Sequence, residues 1–219
     1  HHREEMVQNL LDRGVPMSHI LVPKLKNLRA QRGNQYFDLF GPGDEEVYID
    51  AGSYDGDSIL NFVTWTKNRY KKVIAFEPIR EMCDVIAEMI RENGLDNIDL
   101  VNCAAWDQKE DLQFTLSGGG SRVDGNGVYS VKGIDIDSVA GDEPVTLIKM
   151  DIEGSELKAL HGAKNTIMKN RPKLAICIYH KGSDLYEIGE YILSLIPEYK
   201  LYIRHYASNN YETVLYALP

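Results

Sequence analysis

From Val47 onward the chain alternates short apolar runs with stretches whose apolar residues recur at helical spacing, the signature of a parallel sheet flanked by helices. Val47 to Asp50 reads as the first strand, and Ile59, Phe62 and Val63 give the face of the helix after it. "KKVIAFEP" is a second strand that stops at Glu77 and Pro78. Met82, Val85, Ile86, Met89 and Ile90 then recur at helical spacing up to the stop signal Asn93 and Gly94. "NIDLVNCAA" is the expected third strand, and "VTLIKMD", Val145 to Asp151, the next parallel one. Leu157, Leu160, Lys164 and Ile167 mark one further helix, with Lys164 as the polar exception. "KLAICIYH" and a helix carried by Leu185, Ile188, Ile192 and Leu195 continue the pattern to Pro197.

The last segment breaks this rhythm. "YKLYIRHYASNNYETVLYAL" holds two strand-like runs separated by a few polar residues around Asn209 and Asn210. That link is too short for a helical crossover, so the two runs are expected to pair antiparallel. Residues 106–144 form an insert between the third and fourth core strands. Gln113 to Leu116 and Val128 to Ile136 are its strand candidates, and Gly118, Gly119 and Gly120 form a flexible loop. The insert reads equally as a solvent loop or as a loop that closes over a ligand. Residues 1–35 stand apart as a helical extension, with Met6, Val7, Leu10 and Leu11 as its amphipathic face.

A chain of 219 residues suits one domain with such an appendage. No apolar run approaches the roughly 20 residues that span a bilayer, so a membrane-embedded reading is set aside. The net charge of −9 disfavours loose binding along a phosphate backbone, since each such contact normally uses a Lys or Arg. Cys83, Cys103 and Cys177 share no metal-type spacing and sit in apolar contexts, where reduced core thiols are expected. His1 and His2 read as the remnant of a purification tag, and no basic segment leads into an apolar core. The expected location is cytoplasmic.

The chemistry concentrates at three strand ends. In "VYIDAGSYDGDS" a strand ends on Asp50 and is followed at once by Gly52 and Gly56. Ligands of open parallel sheets bind beyond such ends, where a Gly-rich turn lets the backbone approach them. A dinucleotide turn offers helix N-terminal N–H groups to a pyrophosphate, which Asp50, Asp55 and Asp57 would repel; a sulfonium and an ammonium would be attracted. The spacing is D-x-G-x-x-x-G, not the dinucleotide G-x-G-x-x-G. The same residues also suit a tight strand-to-helix connection with no ligand. Glu77, at the tip of the second strand, can accept hydrogen bonds from both hydroxyls of a ribose, or can serve as a helix N-terminal carboxylate. Asp151 and Glu153, in "IKMDIEGSE", bring two more carboxylates to the same crevice, where ordinary strand-end solvation is the alternative.

Taken in order, "YIDAGSYDGDSI", "VIAFEP", "IKMDIEGSELKALHGA", "KLAICIYHK" with "DLYEI", and "YIRHY" with "ETVLYA" resemble the FkbM family of S-adenosylmethionine-dependent methyltransferases, from about Tyr36 to the C-terminus. The resemblance implies a Rossmann-like α/β fold: a mostly parallel seven-stranded sheet with a C-terminal antiparallel hairpin and helices on both faces. It implies O-methylation of a hydroxyl on a carbohydrate or secondary metabolite. By position it implies that Asp50, Gly52 and Gly56 line the methionine part of the cofactor, with Tyr54 and Asp55 in the same turn and Asp151 at its edge. Glu77, followed by Pro78, would hold the ribose, and the segment at Cys103 and Ala104 would border adenine. Tyr54 stands where the family commonly has Asn.

Methyl transfer from a sulfonium is an in-line displacement in which the protein aligns the acceptor oxygen and manages its proton. Asp151 and Glu153 are the first candidates for base or for orienting the acceptor, with His180 an alternative. His205, on the hairpin, reads as structural or substrate-facing. Asp151, Glu153, His161 and His180 could be combined into a divalent-metal site, but His161 should lie a turn and a half into its helix, away from the crevice, so no metal is assigned. Two rival readings belong to other classes: a nicotinamide-dependent oxidoreductase and a non-catalytic nucleoside-binding module. Charge counts against an RNA acceptor, and a small molecule or glycan is the expected partner, with a protein acceptor still open.

Overall fold

The computed structural model describes residues 35–116, 120–207 and 211–219. Strands β1 (Glu46–Ala51), β2 (Tyr70–Phe76) and β3 (Ile98–Val101) alternate with helices α1 (Asp57–Trp65) and α2 (Arg80–Glu92). An excursion follows through β4 (Ala104–Trp106), β5 (Glu110–Thr115), β6 (Arg122–Val123), β7 (Tyr129–Asp135) and the short helix α3 (Ile136–Ala140). The chain then returns through β8 (Leu147–Met150), α4 (Glu156–His161), α5 (Lys164–Asn170), β9 (Lys173–Cys177), α6 (Asp184–Leu195), β10 (Lys200–His205) and β11 (Thr213–Leu218).

The main sheet has seven strands in the order β10-β11-β9-β8-β1-β2-β3. Pairing is parallel from β9 to β3, while β11 runs antiparallel to both β9 and β10. β1 lies inside the sheet, between β8 and β2, with every residue buried, and its side chains alternate between two cores. Val47, Ile49 and Ala51 meet Leu160, Ile167, Ile188 and Ile192 of α4, α5 and α6 on one face. On the other face Tyr48 joins Ile59 and Phe62 of α1, Ile86 of α2, and Phe37.

Several expected elements differ. "NIDLVNCAA" is two strands, because the Asn102 side chain donates to the Glu77 and Pro78 carbonyls and turns the chain out of the main sheet. Ala104–Trp106 instead opens a separate four-stranded sheet, β4-β7-β5-β6, so the insert is a packed element rather than a bare loop. The single helix expected over Leu157 to Ile167 is also two, α4 and α5, broken at Gly162. A Cβ on Gly162 would overlap the Trp106 carbonyl, so the break lies where the small sheet presses against the helical layer.

The expected helix over Met6 to Leu11, Gly118 and Gly119 of the glycine loop, and the turn at Asn209 and Asn210 fall outside the described residues. No helix among the described residues is long and apolar enough to cross a membrane.

Candidate active site

The strand connections reverse direction at β1: the chain moves from β1 through β2 to β3, then crosses to β8 on the other side. The crevice outside such a switch point is where open α/β sheets bind ligands. A cavity of about 480 Å³ opens there, walled by Tyr36, Gly52, Ser58, Lys149, Asp151 and Glu153 among others. That volume falls within the roughly 300–1,000 Å³ of small-molecule sites. A smaller space of about 70 Å³ adjoins it between Gly52, Tyr54, Glu77, Ile79, Asp151 and, from the insert, Phe114.

Gly52 brings the two strand ends together. Its φ of 84° lies in the left-handed region, and a Cβ there would overlap the Asp151 carbonyl. Tyr54 follows with φ 49°, and its N–H donates to Glu77 Oε2 at 3.0 Å. The Ile79 N–H donates to Glu77 Oε1 at 2.8 Å, so the carboxylate is clamped by backbone on both sides. Burial outweighs these donors and pushes the Glu77 carboxyl up to about 7.

Asp50 is not bare. It is fully buried, accepts from Ser58 Oγ at 2.5 Å, and lies 3.0 Å from Lys149 Nζ, the residue directly across from it on β8. Lys149 also donates to the Gly52 carbonyl at 2.7 Å and sits 5.2 Å from the centre of the Tyr36 ring. Burial alone would lower its pKa, but Asp50 and Asp151 hold it above the ordinary lysine value. The rim of carboxylates expected at these strand ends thus contains its own cation.

Asp151 Oδ2 accepts from the Tyr36 hydroxyl at 2.8 Å, and Oδ1 from the Tyr179 hydroxyl at 3.0 Å. Burial would raise its pKa, but Lys149, His180 and the two hydroxyls keep it below the usual carboxylate value. Glu153 follows in a left-handed conformation, φ 54°. His180 reaches in from just beyond β9, with Nε2 at 3.4 Å from Asp151 Oδ1 and 3.6 Å from Glu153 Oε2, and Nδ1 at 2.8 Å from Glu156 Oε1. Burial disfavours its charged form, yet these carboxylates raise its pKa to about 10.

Of the residues singled out in the sequence, Gly52, Tyr54, Glu77, Pro78, Asp151 and Glu153 stand on the walls of these spaces. His180 lies behind Asp151 and Glu153. Asp50 is one layer beneath the wall, and Gly56 is turned away toward Met89 of α2 as the N-cap of α1. Asp55 is exposed, its Oδ1 accepting from the Asp57 N–H at 3.2 Å. Cys103 and Ala104 lie beside Asn102, which lines a further pocket with Pro78, Ile79 and Tyr129. His161 ends α4 against the Tyr191 ring, 4.3 Å between centroids, away from the crevice as expected. His205 lies on β10, its Nδ1 2.9 Å from the Thr213 hydroxyl.

Sequence reasoning passed over Lys149, Tyr36, Tyr179 and Glu156. Lys149 carried a signal, since a lone cation inside the apolar run "VTLIKMD" must find a buried partner. Tyr36 carried none, because its partner Asp151 is 115 residues away.

A central parallel sheet with one reversed strand next to its edge, and an acidic cavity over its first strand, define the class I methyltransferase fold. Within that class the chain belongs to the FkbM family, whose methyltransferase FkbM domain matches residues 50–211. A crystal structure of methyltransferase FkbM from Methylobacillus flagellatus KT superposes with a TM-score of 0.74 at 30% identity, over 84% of this chain and 47% of that one. The chain therefore spans about half the length of that relative. The fold alone is shared with a precorrin-6y C5,15-methyltransferase from Geobacter metallireducens (TM-score 0.56, 11% identity, 87% and 88% of the two chains). It is likewise shared with an rRNA methylase from Streptococcus thermophilus (0.53, 16%, 90% and 95%). No curated protein matches the sequence.

Proposed function

We propose that residues 36–219 form an S-adenosylmethionine-dependent O-methyltransferase domain acting on a hydroxyl of a carbohydrate or secondary-metabolite acceptor. The observation that carries this reading is the placement of Glu77, Asp151 and Glu153 around two adjoining spaces at the switch point of the sheet. The residues fit the cofactor. Glu77 is buried and backbone-clamped, with lone pairs left for ribose hydroxyls. The Lys149 ammonium at the cavity wall suits the methionine carboxylate, and Asp57 and Glu212 suit its amino group. Pro78, Ile79 and Asn102 form a partly apolar slot for the adenine, next to Cys103 and Ala104.

The cofactor, when bound, supplies an activated methyl group. Asp151 and Glu153 orient the acceptor hydroxyl in line with it and take up its proton, a contribution of roughly 10²- to 10⁴-fold. His180, held against both carboxylates at 3.4 and 3.6 Å, positions them. The small sheet brings the buried Phe114 to the wall of the smaller space, which favours the insert as a cover over the ligand. The acidic net charge favours a small or glycan acceptor over nucleic acid. The three free cysteines fit a reducing, cytoplasmic setting.

Calorimetric titration with S-adenosylmethionine and, separately, with NADH tests the cofactor. Saturable binding of the former alone is expected, and the reverse preference would overturn the reading. Release of S-adenosylhomocysteine over a panel of sugar nucleotides, glycan fragments and hydroxylated metabolites then tests the acceptor.

A further inference from the structure

We propose that Asp151, Glu153 and His180 form a three-ligand site for a divalent cation of the Mg²⁺ or Mn²⁺ type, set in the wall of the same cavity. One oxygen of each carboxylate and one nitrogen of the ring lie within 4.8 Å of one another. A cation about 2.1 Å from each of three cis ligand atoms holds those atoms roughly 3 Å apart. Two of the three pairs lie close to that spacing, at 3.4 Å from Nε2 to Asp151 and 3.6 Å from Nε2 to Glu153.

A second observation, independent of the acidic grouping, points to a ligand. The His180 side chain is only 7% exposed, and its Nε2, with the nearest carboxylate oxygens at 3.4 and 3.6 Å, makes no well-directed hydrogen bond. Such an orphaned buried nitrogen is rare unless an ion, a water or a catalytic role explains it. The surroundings fit an ion. Glu156, fully buried, approaches Nδ1 to 2.8 Å and so can orient the ring from behind, leaving Nε2 for the cation. The Tyr179 and Tyr36 hydroxyls hold the Asp151 carboxylate while leaving lone pairs unused on both oxygens. The cluster joins three carboxylates to a single imidazole, so its charge is negative, and a cation bound at Nε2 takes the place of a proton there. Two carboxylates and one imidazole are a hard to borderline donor set, and the remaining coordination positions open toward the cavity for water or acceptor oxygens.

The inference adds to the methyl-transfer reading and is tested apart from it. The full chain, stripped with a chelator and dialysed, is titrated with Mn²⁺ by calorimetry and by the loss of the free-ion paramagnetic signal. One ion per chain is expected, with affinity lowered on the order of tenfold or more in Glu153→Gln and unchanged in the exposed control Asp142→Asn. The control also separates this site from His1 and His2, which neither substitution touches. Wild-type thermal unfolding needs no variant and should move to higher temperature as Mn²⁺ rises. Absence of saturable binding up to millimolar Mn²⁺, an unmoved unfolding midpoint, or equal affinity in Glu153→Gln would each overturn the site. Parallel titration with S-adenosylmethionine keeps the two readings distinct. Cofactor binding without Mn²⁺ binding removes only the cation site, and failure to bind cofactor removes only the methyltransferase reading.

Discussion

Lys149 faces Asp50 across the β1–β8 pair and brings its ammonium to 3.0 Å from that carboxylate, with both side chains almost wholly out of solvent. Two buried charges of opposite sign are each costly alone, so the pair fixes the register of the central strands as well as the charge behind the cavity. Lys149→Met would leave the Asp50 carboxylate buried and unpaired. The expected loss is about 3–5 kcal/mol. The double variant Asp50→Asn with Lys149→Met should lose much less than the two single losses added together. Denaturant titration of all four proteins measures this coupling, and additive losses would contradict it.

Gly52→Ala should separate the tips of β1 and β8, because the added methyl meets the Asp151 carbonyl and the residue's φ of 84° is strained for any side chain. A lowered thermal midpoint together with lost S-adenosylmethionine binding is expected. Wild-type affinity in this variant would show that the cofactor does not use this turn.

Glu77 gives the domain a pH signature. Its folded pKa, pushed up to about 7, lies above the unfolded value, so the folded state holds the extra proton between about pH 4.5 and 7. Stability of the ligand-free protein should therefore fall as pH rises through that window, and Glu77→Gln should flatten the fall. Ribose hydroxyls donate best to the ionised form, so cofactor affinity should run the other way and be weaker at pH 6 than at pH 8. Unfolding midpoints and calorimetric titrations at a series of pH values check the two slopes, and a midpoint rising with pH across the window would refute the assignment.

Asp151→Asn keeps the shape of the side chain and removes its charge. Turnover should drop by roughly 10²-fold or more while S-adenosylmethionine binding changes by much less. Single-turnover rates beside binding titrations separate these effects, and an equal loss in both would assign Asp151 to the cofactor rather than to the acceptor.

Gly162→Ala probes the junction between the helical layer and the small sheet. The added methyl overlaps the Trp106 carbonyl, which must move. Strain of about 1–3 kcal/mol is expected from overpacking of this kind. Hydrogen exchange should show the faster opening concentrated in β4 and β7, and an unchanged exchange pattern would argue against a tight junction.

Much of this architecture was legible because periodicity reports burial. β1, β2, β8 and β9 are apolar runs with both faces covered, and α2 and α6 carry stripes that a parallel sheet requires. The antiparallel placement of β11 followed from the short link before it. Side-chain geometry was less accessible. "NIDLVNCAA" is apolar throughout, and only the Asn102 amide, by capturing the Glu77 and Pro78 carbonyls, decides that the strand divides. The break at Gly162 depends on a backbone contact with a residue in the insert. At the site, acidic residues at strand ends were visible as a group, but their partners were not. Lys149 neutralises Asp50 and Tyr36 reaches Asp151 through contacts that exist only once the sheet has formed.

Because β11 lies between β9 and β10, the chain must make β10 before the one strand that can join it to the sheet. A nascent polypeptide that has emerged only as far as His205 offers the bare edge of β9, with Leu174, Ala175, Ile176 and Cys177 unprotected, to any other strand nearby. Pairing of β11 thus covers the β9 edge and hands the role of edge strand to β10. Chains halted before Thr213 should need a chaperone to remain dispersed, and a monomeric, freely soluble truncation would contradict this.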